Sequence, residues 1–194
     1  MGRCASACYA RRSECWGVGK RGGPVALRVW KESPDDRDEV EALFDLAFAP
    51  GRTALSSYQL RDGVEPVSAL CLLARDDYNV VTGAMRYWPM ESGDEKAPAV
   101  LLGPVAVHPT RQGEGIGALL ILESLEIAAD LGWLRVVLIG DEPYYRRFGF
   151  RRALAEELRF PPPTNPNRIL AVELGPDAMA GVKGDVRRAL SDSA

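Results

Sequence analysis

Residues 112–118 read Gln-Gly-Glu-Gly-Ile-Gly-Ala and stand between two runs of different character. Ala99–Val107, before them, is an apolar strand-like run, and the pattern after them, down to Leu131, is that of an amphipathic helix. Glycines at a strand-to-helix junction leave backbone N–H groups uncovered by side chains. The helix dipole points its positive end into the same place. Chemically this is an anion seat, and phosphate is its usual occupant.

Gly113-Glu114-Gly115-Ile116-Gly117-Ala118 also fits the dinucleotide fingerprint G-x-G-x-x-G/A, with Ala118 in the last place. The surroundings fit it poorly. His108–Gln112 separate the strand from the first glycine, and the stretch lies mid-chain rather than opening a domain. The acid that closes the next strand, Asp141, also comes later than the roughly 20 residues that fingerprint expects. No Gly-Lys-Ser/Thr follows the glycines, which excludes a Walker A loop.

Gln112-x-x-Gly115-x-Gly117 directly after a strand resembles the Q/R-x-x-G-x-G/A loop of the GNAT acetyltransferase superfamily. Leu102-Gly103-Pro104-Val105-Ala106-Val107-His108-Pro109 is similar to that family's fourth strand and its exit. Tyr144-Tyr145-Arg146-Arg147-Phe148-Gly149-Phe150 is similar to its late helix, where a Tyr stands five residues before the Phe of a closing Gly-Phe. The combined signature resembles the YhbS-like branch and covers about Val25 to Leu174. The resemblance implies one α/β (α+β) domain. Its sheet would be mixed and mostly antiparallel, splayed between strands 4 and 5 and flanked by helices. Acetyl-CoA is the implied co-substrate, lying in the wedge between those strands.

The 194 residues suffice for one domain with a real core, and 46% hydrophobic with 26% charged residues is ordinary globular composition. No apolar stretch reaches the ~20 residues a membrane span needs. The net charge of −3 is uneven, because residues 1–24 hold Arg3, Arg11, Arg12, Lys20 and Arg21 against Glu14 alone. The remainder is acidic, which argues against nucleic acid as a partner and favours cationic or amine substrates. Cys4, Cys8, Cys15 and Cys71 form no C-x-x-C pair and only one His exists, so no metal site is expected. Cys71 reads as a small buried residue and the chain as a reduced, cytoplasmic protein.

Residues 1–24 show no period and no apolar signal core, and read as a disordered tail or as translation begun upstream of the true start. Residues 25–174 read as the domain and 175–194 as a C-terminal tail. Val25–Trp30 is a first strand. Ser33-Pro34-Asp35-Asp36 opens a helix whose buried stripe is Val40, Leu43, Phe44 and Ala47. Residues 51–66 are irregular, with Tyr58 and Leu60 as anchors. Ser68–Ala74 and Val80–Tyr87 read as a hairpin, and Met90–Pro98 as a polar loop. Gly103-Pro104 interrupts the strand Ala99–Val107, because a proline cannot donate in a central ladder, and a bulge is expected there.

The central helix is expected to bury Ala118, Ile121, Leu122, Leu125, Ala128 and Ala129 and to expose Glu123, Ser124, Glu126 and Asp130. Trp133–Ile139 and Arg168–Leu174 are further strands, and Pro143–Arg147 is a short helix.

The resemblance implies direct acetyl transfer from acetyl-CoA to a primary amine. Gln112, Gly113, Glu114, Gly115, Ile116, Gly117 and Ala118 then hold the pyrophosphate. The edge of Val105, Ala106 and Val107 pairs with the pantetheine arm, and a backbone N–H near Val105 meets the thioester oxygen as it turns negative. Tyr145 matches the family's general acid for the departing thiolate, against the competing reading that Tyr145 or Tyr144 only packs on the sheet. Asp141-Glu142 departs from the family, where an Asn contacts the pantetheine.

No residue is assigned as general base. The fourth strand has no acid, and His108 sits before Pro109 where a capping role competes. Acceptor pockets in this family are built from the first helix and its following loop, here Phe44–Glu65, and from the Met90–Pro98 and Leu158–Asn167 loops.

Two rival readings stand beside this one. The first is a GNAT-like module that binds CoA without catalysis, and the second is a dinucleotide-binding oxidoreductase. The acceptor is a small-molecule or peptide amine that the sequence does not name. Homodimers are common for the fold and have no marker here.

Overall fold

β1 (Arg28–Lys31), β2 (Leu72–Arg75), β3 (Val81–Ser92) and β4 (Ala97–Val107) lie side by side as antiparallel neighbours in a computed structural model that describes residues 27–48, 52 and 56–189. β5 (Arg135–Ile139) follows, then β7 (Ile169–Glu173), giving the order β1-β2-β3-β4-β5-β7. β4 and β5 are the parallel pair of this sheet, and the helix α3 (Ile116–Asp130) crosses between them. α1 (Arg37–Phe48) packs on the other face, against β3 and β4. The architecture is the mixed, mostly antiparallel α/β layer that the resemblance implies.

β4 and β5 pair only at Val100↔Val136 and Leu101↔Val137. Beyond that point β5 bonds β7 alone and β4 bonds β3 alone, so the two strands part. The bulge supplies the cause on the β4 side. Met85 faces Val105 and Tyr87 faces Leu102, so Gly103 and Pro104 together oppose the single residue Arg86. An extra residue bends its strand and ends regular pairing.

Other elements differ from the sequence reading. The first strand begins at Arg28, and Ser68–Leu70 is a 3-10 turn ahead of β2. β3 runs to Ser92 and β4 starts at Ala97, so most of the expected polar loop 90–98 is a hairpin. The cause is that Met90, Ala99 and Leu101 share a buried apolar cluster with Val137 and Ile169. Residues past Leu174, read as a tail, form β8 (Gly184–Asp185) and β9 (Arg187–Arg188) in their described part. β8 pairs with β6 (Leu158–Arg159), β9 pairs with β3, and Met179 and Val186 are buried between them. Ala47 is exposed at the end of α1. Residues 1–26, which include Cys4, Cys8, Cys15 and the expected disordered or spurious segment 1–24, lie outside the described residues. No helix among the described residues is long and apolar enough to cross a membrane.

α3 buries Ile116, Gly117, Leu120, Ile121, Ser124 and Ala128. Three positions reverse the periodicity reading, the exposed Ala129 in the last turn among them. Ser124 is fully buried, and Leu122 is 52% exposed. The reason is a polar partner inside the core. Ser124 Oγ lies 2.8 Å from the hydroxyl of Tyr87, a fully buried side chain of β3, and donates to the Ile121 carbonyl at 2.8 Å. Burial raises the Tyr87 phenol well above its ordinary range, so it stays neutral. A helix rotated to bring Leu122 inward would leave that phenol unpaired. Ser124→Ala should therefore cost about 1–3 kcal/mol, the penalty of an orphaned buried hydroxyl. Denaturant melts compared with the exposed-site control Glu126→Ala test this, and equal midpoints would refute it.

Candidate functional site

The glycine stretch sits where β4 ends and α3 begins. A 3-10 turn over Pro109–Arg111 leads into it, capped by His108, whose Nδ1 lies 2.8 Å from Thr110 Oγ1 and accepts from Thr110 N–H at 3.3 Å. His108 is thus occupied with the local turn. Gly113 and Gly115 both have φ +86, a region that side-chain-bearing residues rarely adopt, and Gly115 is the N-cap of α3. The first turn of any helix leaves its N–H groups without intrahelical acceptors. Among the described residues, the backbone amides of Gly113 through Ala118 donate to no backbone acceptor outside the helix and to no side chain. A Cβ at Gly113 or Gly115 would meet nothing within 4 Å, and residues 112–115 are exposed, so the loop is open to solvent. An anion with several oxygens fits this cradle, as the chemistry of a pyrophosphate requires.

Arg111 pairs with both acids beside the cradle. Arg111 Nε holds Glu114 at 2.9 Å, and its Nη1 reaches Asp76 at 3.1 Å on the β2–β3 turn. Glu114 would otherwise repel an anion at its own backbone. Burial acts to raise the Asp76 carboxyl, but bonds from the Val80 and Tyr78 amides and the Arg111 charge outweigh it and hold it below the ordinary range. The loop is thereby tied to a hairpin two strands away.

The wedge between β4 and β5 begins beside this cradle. Val105, Ala106 and Val107 bond β3 through Met85, Ala84 and Gly83, while their other edge faces the gap. Gly117 closes the near wall, since a Cβ there would stand 3.1 Å from the Tyr144 hydroxyl and 3.4 Å from Val107 Cγ2. The structure therefore brings Val107, Gly117 and Tyr144 together at the start of α3.

α4 (Glu142–Tyr145) carries both tyrosines past the end of β5. The Tyr145 ring packs against Gly140, where any Cβ would collide with it, and makes edge contacts with Tyr144, Phe148 and Phe150. Burial, with the nearby Tyr144 and Asp141 adding to it, pushes the Tyr145 phenol up to about 12. It is a protonated hydroxyl at every physiological pH. Tyr144 is 40% exposed, and Arg147 stacks on its ring at 4.1 Å. Arg146 accepts the Gly149 amide through its carbonyl, and Asp141 pairs with Arg168 at 3.1 Å. Cys71 is buried, and burial pushes its thiol up to about 11, so it is no thiolate nucleophile.

The other face of the sheet carries a layer of charge between two apolar clusters. One cluster is α1 with Val81, Ala84 and Ala106, and the other gathers Leu60, Met90, Leu101, Leu158 and Met179. Between them Arg86 forms two bonds to Glu32, at 2.8 and 2.5 Å, and one to Glu41. Arg52 bonds Glu41 at 2.5 Å, Asp45 at 2.6 Å and the Tyr58 hydroxyl at 2.7 Å. Burial acts to lower both guanidiniums, and the carboxylate bonds overcome it and raise them. Arg61 lies over the rings of Tyr58 and Trp88 at 4.3 and 4.6 Å.

Sequence reasoning missed Gly83, Gly140, Tyr144 as a wall of the cleft, and Arg61. Gly83 had a readable signal only in hindsight, as a glycine inside a strand. A Cβ there would stand 2.6 Å from Ile116 Cγ2 and 3.0 Å from Leu120 Cδ1, so its bareness seats the first turn of α3 on the sheet. Gly83→Val should displace that turn and cost about 1–3 kcal/mol. A thermal melt should show the loss as a drop of roughly 2–12 °C, and an unchanged midpoint would disprove the close seating.

Comparison with known proteins agrees with this geometry. Residues 68–152 match the acetyltransferase (GNAT) domain family. The chain is 31% identical over 160 residues to the uncharacterized N-acetyltransferase YhbS of Escherichia coli K12, covering 82% of this chain and 93% of that protein. The crystal structure of the Escherichia coli YhbS protein in complex with CoA superposes with a TM-score of 0.74 at 30% identity, over 88% of this chain and 93% of that one. A GNAT family acetyltransferase from Brucella melitensis in complex with acetyl-CoA superposes with a TM-score of 0.62 at 31% identity, over 83% and 94%. The glycine cradle, the parted strands and these likenesses together place the chain in the GNAT acetyltransferase family, on its YhbS-like side.

Proposed function

We propose that this protein is an acetyl-CoA-dependent N-acetyltransferase that passes the acetyl group directly to a primary amine. The observation that carries this is the run of unbonded amides, Gly113 to Ala118, at the mouth of the wedge between β4 and β5. Two similar proteins of known structure, at 30% and 31% identity, hold CoA and acetyl-CoA, which supports the same ligand here. The antiparallel remainder of the sheet speaks against the dinucleotide alternative, whose fold is built of parallel strands.

When bound, the thioester supplies an acetyl carbon open to attack by an amine and a thiolate leaving group. Transfer forms the C–N bond as the C–S bond breaks. The amine gives up one proton and the sulfur gains one. In this reading Gln112, Gly113, Glu114, Gly115, Ile116, Gly117 and Ala118 hold the pyrophosphate with backbone N–H groups. Val105, Ala106 and Val107 offer their free edge to the pantetheine amides. A backbone N–H at the β4 bulge meets the negative charge that grows on the carbonyl oxygen. Tyr145 protonates the sulfur, a role supported by a phenol that stays protonated well above neutral pH. A soluble single-domain enzyme of the cytoplasm, acting on a small-molecule or peptide amine, is the setting that fits an acidic domain lacking a membrane-spanning helix among its described residues.

Calorimetric titration with acetyl-CoA, with NAD as control, tests the reading. Saturable binding of the first and silence with the second are expected, and the reverse would overturn it. Gly117→Asp should abolish that binding by crowding Tyr144 and Val107 and by placing a carboxylate in the anion seat; full affinity in the variant would unseat the loop assignment. Tyr145→Phe should lower kcat by about 10- to 10⁴-fold while leaving the acetyl-CoA Kd within error. Because the donor must be protonated and its pKa is raised to about 12, wild-type kcat should show no alkaline fall from this group up to pH 10. Equal turnover by Tyr145→Phe would reduce Tyr145 to packing. CoA binding with no turnover across an amine panel would favour a non-catalytic CoA-binding module.

A further inference from the structure

Among the described residues the charged layer on the α1 face holds a cation without a carboxylate partner. Arg86 is satisfied by Glu32 and Glu41, and Arg52 by Glu41, Asp45 and Tyr58. Arg61 differs. Among the described residues it forms no ion pair with a carboxylate, and its Nε and Nη1 are buried with no hydrogen-bond acceptor. What it has instead is neutral: a hydrogen bond to Tyr58 and aromatic contact, with its guanidinium carbon 4.3 Å from the centre of the Tyr58 ring and 4.6 Å from that of Trp88. Its remaining nitrogen, Nη2, points at the bulge of β4 and lies 3.6 Å from where a Cβ on Gly103 would be. Burial lowers it to about 10, which still leaves it cationic at neutral pH.

A guanidinium has N–H donors on every nitrogen and no acceptor. Ring contacts and the Tyr58 hydroxyl satisfy its charge in part, and leave the N–H groups on Nε and Nη1 unbonded. Leaving such donors buried and unpaired is among the costlier things a fold can do. A fold of this kind becomes stable without strain once a ligand brings the missing acceptor. The planar fork of a guanidinium matches two oxygens held in one plane, which is the geometry of a carboxylate. The place matters as much as the chemistry. Gly103 and Pro104 mark the point where β4 leaves β5, so Arg61 meets the wedge from the face opposite α3. An acceptor nitrogen must reach that same point to be acylated. A carboxylate on Arg61 would therefore belong to the acceptor and lie only a few bonds from its amine.

We propose that Arg61 is a specificity-determining residue that binds a carboxylate on the acceptor, and that the acceptor is a small amino acid, carrying amine and carboxylate on one short skeleton. This rests on the N-acetyltransferase reading above. Tyr58 and Trp88 orient the guanidinium by stacking, and the Arg86 and Arg52 carboxylate partners keep those two cations from competing for the ligand.

The test uses the full-length protein, the proteinogenic L-amino acids and their carboxamides. Calorimetry in the presence of CoA reads binding, and thiol release from acetyl-CoA reads transfer. At least one amino acid should bind and react with a kcat/KM about 30-fold or more above that of its carboxamide, as expected for a buried hydrogen-bonded charge pair. Arg61→Met should bring that ratio close to one and Arg61→Lys should leave it intermediate, because the charge survives and the fork does not. The melting temperature of Arg61→Met should not fall, since an apolar chain of similar length replaces an unpaired buried charge.

Equal rates on acid and amide, or no amino acid bound, would overturn the proposal. So would a clear loss of melting temperature, which would make Arg61 a structural cation. A loss of acetyl-CoA affinity in Arg61→Met would also overturn it, because Arg61 would then serve the cofactor. Intact acetyl-CoA binding with no preference for amino acids defeats this inference alone, whereas absent acetyl-CoA binding defeats the transferase reading itself.

Discussion

The separation of β4 from β5 is the constraint on which everything else depends. Parallel neighbours joined by a helix ordinarily stay paired along their length. Here pairing stops after Leu101 and Val137, because Gly103 and Pro104 crowd two residues opposite Arg86. The opening exposes a strand edge inside the molecule, a liability in most sheets. In the function proposed above, that edge is the one offered to the pantetheine amides. The same bend carries Val107 to the start of α3, where the uncovered amides of the glycine stretch are waiting.

Holding that opening in place requires rigid walls on both sides. On one side α3 is seated by the bare Gly83 and keyed by the buried Tyr87–Ser124 contact, which fixes both its distance from the sheet and its rotation. On the other side the Glu32–Arg86–Glu41–Arg52 network binds β1, β3 and α1 together. Exposed ion pairs add little to stability, but a partly buried and multiply bonded chain of them sets geometry. Arg61 lies at the end of this layer with its ring contacts and without a carboxylate, next to the bulge. Charge is thus fully matched where it builds the wall and unmatched where the wedge opens.

Local patterns were legible where a single element decides them. The α3 start was readable because glycines between a strand and a helix have few structural uses, and the β4 bulge because proline cannot donate in a ladder. Periodicity failed at Ser124 and Leu122, since a hydroxyl counted as polar became a core residue once Tyr87 stood opposite it. It failed again at Met90–Ser92 and at 175–189, where polar residues flank a few apolar ones that only a distant cluster makes buried. His108 was open to two readings, and its Nδ1 makes the contact with Thr110 that the capping reading expects.

By itself the sequence determined the glycine turn that opens the central helix, the break in the fourth strand and the order of motifs that marks the family. Those depend on backbone freedom and on donors that glycine and proline change within a few residues. Only the tertiary structure decided which tyrosine touches Gly117, why Gly83 must be bare, and that Arg61 has no counter-charge among the described residues. Each of these is a relation between residues far apart in the chain. Such relations come from packing, and packing exists only once the chain has folded.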